Sequence, residues 1–79
     1  MKEQITLRLY DDPATPPACD DRRYRADPKA GGAAYERGDT IGLDEREGGR
    51  LFGVIDRVDD EVLTDESGSY RLAWIWTQD

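Results

Sequence analysis

After Gly38 the chain breaks into short apolar stretches divided by turn residues, and this rhythm limits the second half to strands joined by hairpins. Residues 40–43, 50–58, 61–65 and 69–77 read as strands. The turns between them are Glu47, Gly48 and Gly49, then Asp59 and Asp60, then Glu66, Ser67 and Gly68. The two glycine-containing turns supply the positive φ that tight hairpins need. A meander of antiparallel strands is the economical arrangement.

Upstream, residues 4–10 alternate strictly, with Ile5, Leu7 and Leu9 on one face and Thr6, Arg8 and Tyr10 on the other. That is the pattern of a half-buried strand. Pro13, Pro16 and Pro17 then remove backbone donors and fix their own φ, so a long loop follows. Residues 20–26 carry no apolar period and read as loop or a short irregular strand. Asp27 before Pro28 has the form of an N-cap with proline at the first helical position, and Gly38 is the stop. Ala30, Ala33, Ala34 and Tyr35 would line a short helix there, against a cost of about 1 kcal/mol for each of Gly31 and Gly32.

In the last strand, Tyr70, Leu72, Trp74 and Trp76 share one face and Ala73 and Ile75 the other. Both faces being apolar, the strand is expected to be central or covered. Packing in the small core is the first expectation for both tryptophans, with a role as interface anchors second. Residues 51–55 are also apolar on both faces, and Gly53 is expected to mark a bulge or bend. The expected fold is α+β and β-rich, a small antiparallel sheet or partly open barrel of about five strands with one short helix and a long proline-rich loop. All 79 residues form one domain: a first strand to residue 10, loop and helix over 11–38, and the meander over 39–79.

Charge is distributed unevenly along this plan. Residues 1–35 hold six acids and six bases, so the net charge of -7 belongs to residues 36–79, with twelve acids against five bases. Between positions 56 and 66, Asp56, Asp59, Asp60, Glu61, Asp65 and Glu66 face the single base Arg57. Asp44, Glu45 and Glu47 form a second group. Carboxylates two apart on a strand stand about 6.6 Å from each other on one side, a spacing on the scale of a nucleic-acid backbone. Such a surface disfavours nucleic acid and anionic membranes and suits a basic protein groove.

Catalytic chemistry finds little to work with. The chain has no histidine, hence neither the commonest general base nor the commonest zinc ligand. Cys19 stands alone among carboxylates that disfavour its thiolate, and a lone cysteine fits a reducing cytosol. The glycine pairs lack the spacing and lysine of a phosphate-binding loop. Asp56, Asp59, Asp60, Glu61 and Asp65 supply hard oxygens for calcium, but not in EF-hand order, and a solvated acidic turn is the preferred account. Arg22, Arg23 and Arg25 around Tyr24 have the ingredients for stacking on nucleic acid, yet Asp20, Asp21 and Asp27 offset them, and intramolecular pairing is expected. No catalytic residue, cofactor or metal ligand is assigned, and the chain is expected not to be an enzyme.

Small size, strong acidity, absence of catalytic residues and a β-rich core make the chain resemble the DNA-mimic inhibitors of bacteriophages and mobile elements, among them anti-CRISPR and anti-restriction proteins. The resemblance rests on the character of the whole chain, mainly on the acids from Asp39 to Glu66, and on no single motif; the eleven bases and the neutral first 35 residues depart from it. It implies binding to the DNA-recognition groove of a CRISPR effector or restriction complex in the bacterial cytoplasm. Asp56, Asp59, Asp60, Glu61, Asp65 and Glu66 would then be the anionic contacts, with Asp44, Glu45 and Glu47 behind them. The rival expectation is a small β-barrel connector or adaptor that binds through Trp74, Trp76 and the proline loop.

Overall fold

A computed structural model describes residues 2–78. Seven strands form: β1 (Gln4–Tyr10), β2 (Ala18–Cys19), β3 (Tyr24–Ala26), β4 (Thr40–Glu45), β5 (Arg50–Val58), β6 (Leu63–Asp65) and β7 (Gly68–Gln78). Every pairing is antiparallel. β1 pairs with β2, β2 with β3, β3 with β4, β4 with β5, β5 with β7, and β7 returns to β1. The result is a closed six-stranded barrel, with β6 outside the ring as a hairpin partner of the start of β7.

This closure corrects the expectation of a partly open barrel of about five strands. Two of the closing strands lie in the stretch read largely as loop. β2 contributes two residues and β3 three, held in place by the pairs Leu7 with Cys19, Ala18 with Arg25, and Ala26 with Leu43. The Ala26 amide also donates to the Pro17 carbonyl (3.2 Å), stitching the end of the proline loop to β3. The expected helix over 27–38 is replaced by one 3-10 turn at Ala30–Gly32. The glycines decide this: Gly31 sits at φ 79° and Gly32 at φ 72°, outside helical space, while Lys29 and Ala33 on either side are extended.

The alternation in each strand sorts side chains between core and surface. Ile5, Leu7 and Leu9 of β1 face inward with Ile41 and Leu43 of β4, Ile55 of β5, and Ala73 and Ile75 of β7. Side chains thus fill the interior, as in other small barrels. The bulge expected at Gly53 falls at Asp56 instead. Ile55 pairs with Ile75 and Arg57 with Trp74, so Asp56 is the extra residue. Gly53 serves the core in another way. A Cβ there would run into the Ile75 side chain, so glycine makes room for the branched residue diagonal to it across the β5–β7 pair.

The tryptophans are a further correction to the packing expectation. Trp76 pairs with Gln4 and Val54, and Trp74 with Thr6 and Arg57, on the face opposite Ala73, Ile75 and Thr77. Trp76 remains 40% exposed and Trp74 is half-buried. The interior of a six-stranded barrel already holds Ile5, Leu7, Ile41, Ile55 and Ile75, leaving no room for two indoles. They stand on the outside of the β1, β7, β5 sheet.

Candidate functional site

Beyond its bulge β5 stays paired with β7, Arg57 with Trp74 and Val58 with Ala73. Val58 turns back against the core, and the Asp59 amide donates to the Leu72 carbonyl (2.8 Å), which extends the ladder one step beyond the strand. The Asp59 carboxylate then accepts from the Glu61 amide (3.3 Å), an Asx-type closure that shapes the connection to β6. Asp60 and Glu61 are left exposed, Asp56 and Asp59 are half-buried, and Val62 beside them is 57% exposed. Among the described residues none of these four carboxylates is within ion-pair distance of a base.

The other expected contacts are placed differently. Asp65 belongs to a structural knot: one carboxylate oxygen accepts from Arg8 (2.6 Å) and from the Tyr10 hydroxyl (2.7 Å), and the other from the Ser67 amide (2.7 Å). Its side chain is only 16% exposed. Asp44 accepts from Arg50 (2.7 Å), whose guanidinium also binds Asp27. Glu66 is exposed, with Arg22 at 3.5 Å, too far and too solvated to contribute much. Glu45 is half-buried and Glu47 exposed at the β4–β5 turn. That turn and the 59–62 connection lie at opposite ends of the nine-residue β5, roughly 25 Å apart at about 3.3 Å per residue. The acids therefore form two separated groups; in the far one Asp44 is paired with Arg50, whereas none of the 56–61 acids has an internal cation among the described residues.

Next to that group runs an apolar outer face. Val54 and Trp76 are cross-strand partners, Phe52 is 51% exposed, and the Arg57 guanidinium lies 4.0 Å from the centre of the Trp74 ring. Such stacking contributes about 0.5–1 kcal/mol at an exposed site. It also fixes Arg57 over the indole, so the one base inside the acidic run is held by an aromatic ring. The alternation of residues 72–77 identifies the two faces of this strand, but not which of them is outside.

Carboxylates outside the open group are tuned by their partners. Burial pushes the Asp65 carboxyl up, yet its hydrogen bonds from Tyr10, Ser67 and Arg8 outweigh that and hold it below the ordinary range. The hydrogen bond from Lys29 (2.7 Å) holds Asp39 down, helped by the Glu36 amide. The Cys19 thiol, donating at 2.6 Å, and the Arg23 amide do the same for Asp21. Burial, and then this contact, raises the thiol, in line with the expectation from the acidic surroundings of Cys19. Because the three folded-state carboxyl values lie below the unfolded value of about 3.9, the stability they contribute is complete above that pH. It is lost as pH falls through the folded values. The melting temperature, followed by circular dichroism, is expected to hold steady down to about pH 4 and to drop below it; a flat profile to about pH 2 would contradict this assignment.

The basic cluster is only loosely paired. Arg23 lies over the Tyr24 ring (4.7 Å) and 3.8 Å from Glu3, while Arg22 takes a left-handed backbone (φ 56°) in the turn closed by its amide on the Cys19 carbonyl. Among the described residues no three Asp, Glu or Cys side chains converge as metal ligands would, and no helix is long and apolar enough to cross a membrane. Comparison with family models, with curated proteins and with solved structures gave no match.

Proposed function

We propose that this barrel acts by binding, without chemistry of its own, and that its 56–61 carboxylates enter the DNA-recognition groove of a CRISPR effector or restriction complex in the bacterial cytoplasm. DNA and this protein would then exclude one another from the groove. The observation that carries the reading is the contrast among acids. Asp39, Asp44 and Asp65 each have a lysine or arginine partner within 2.7 Å, whereas Asp56, Asp59, Asp60 and Glu61 have none among the described residues. Anions left open at one end of a closed barrel cost nothing in internal pairing and attract a basic groove over a Debye length of about 8–10 Å.

The exposed Trp76 and Phe52 favour a second reading, an adaptor whose partner covers the outer sheet face. One experiment separates the two. The protein is titrated into purified effector and restriction complexes carrying labelled target DNA, at low and at high salt. DNA displacement that weakens steeply with salt supports mimicry; binding that leaves the DNA in place and survives salt, but is lost in Trp76→Ala, supports the adaptor. No DNA displacement from any complex at low salt overturns the first reading.

A further inference from the structure

At the end of the barrel where β1 runs into the proline loop, a cavity of about 170 Å³ opens between that loop and the 28–35 segment. Its size is below the range of about 300–1,000 Å³ for drug-sized ligands, so it suits a small molecule and not a nucleotide. Pro13, Pro17 and Pro28 stiffen the walls. Tyr35 is fixed in its wall by the hydrogen bond from its hydroxyl to the Asp27 carbonyl (2.8 Å). A rigid pocket loses little entropy when filled.

Arg71 gives this cavity a chemical preference. It pairs across the sheet with the buried Leu9, so its side chain continues the inward row of Ala73 and Ile75 and stands at the mouth of the barrel interior. Its inward neighbours Leu9 and Ala73 are apolar and buried, and no carboxylate among the described residues lies within ion-pair distance of its guanidinium. A half-buried guanidinium is built to take a planar carboxylate in two parallel hydrogen bonds. The other cation of the lining, Lys29, is already held by Asp39 (2.7 Å) and the Ala34 carbonyl (3.2 Å). Asp11 and Asp12 stand on the rim. They repel a dianion such as phosphate and attract an ammonium group.

We propose that the cavity binds a small zwitterion, an α-amino acid with an apolar or aromatic side chain, with its carboxylate on Arg71, its ammonium group at Asp11 and Asp12, and its side chain against the prolines and Tyr35. This site lies away from the 56–61 carboxylates and does not depend on the proposed inhibitor role. The test is a titration of the full chain followed by ¹⁵N–¹H spectra. The probes are L-phenylalanine and L-leucine, with phenylacetate, phenethylamine and inorganic phosphate as controls. Either amino acid is expected to shift the amides of Leu9, Asp11, Tyr35 and Arg71 and to leave Trp76 unmoved. Arg71→Gln is expected to weaken the affinity by about tenfold or more, as loss of a charge-assisted hydrogen bond does. Asp11→Asn, an exposed loop change whose backbone bond to Ser69 is retained, should weaken amino acids but not phenylacetate. Absence of shifts with both amino acids, tighter binding of phosphate, or undiminished affinity in both variants overturns the proposal.

Discussion

Gly53→Ala is expected to lower the stability of the barrel by about 1–3 kcal/mol, the usual penalty for an extra methyl forced into a packed core. A domain of this length has a total of only about 4–12 kcal/mol to lose, so the denaturation midpoint should fall visibly. The added Cβ would overlap the Ile75 side chain and press on the Trp76 carbonyl at 3.3 Å. Ile75 is fully buried between Ile5 and Ile55 and has no free direction to retreat. Gly42→Ala is the control. Its Cβ would meet the Arg50 guanidinium and the Asp27 carboxylate, the flexible ends of two exposed side chains, which can swing aside. Neither glycine has a positive φ, so backbone conformation drops out of the comparison. Equal midpoints for the two variants would mean that the core around Ile75 is looser than its burial implies.

The role of Gly53 shows where the sequence stops being informative. Alternation and the spacing of turn residues are local, and they deliver β1 and β5 with their full extents and the two faces of β7. Which face of β7 lies inside depends on the radius of a ring that closes only through β2 and β3. Strands of two and three residues carry no period, because partners on both sides define them and their own side chains do not. The same limit hid the knot of Arg8, Tyr10 and Asp65, in which the aspartate is more than fifty positions from its two partners. Among the nine carboxylates proposed from composition, the fold withdraws Asp65 and Asp44 into ion pairs and sets Glu45 and Glu47 at the far end. The expected helix failed for a local reason that was on view: two consecutive glycines outweighed a good N-terminal signal.

The contrast between paired and unpaired acids leads to the second large effect. Asp59→Asn, Asp60→Asn and Glu61→Gln together are expected to slow association with a basic partner by about ten- to a thousandfold at low salt, the span over which electrostatic steering acts. The same triple change should leave the melting temperature unmoved or slightly raised, because these carboxylates have no internal cation among the described residues and repel one another. An asparagine at position 59 keeps an oxygen to accept from the residue 61 amide, so the turn survives. Asp65→Asn should behave in the opposite way. It removes the charge that Arg8 and Tyr10 share and should lower the melting temperature at pH 7 and flatten the acid limb below about pH 4, with little effect on association. Stopped-flow rates and thermal melts on the two variants therefore form a crossed comparison. If the triple variant melts early, the 56–61 acids hold the fold together and the binding role passes to the aromatic face.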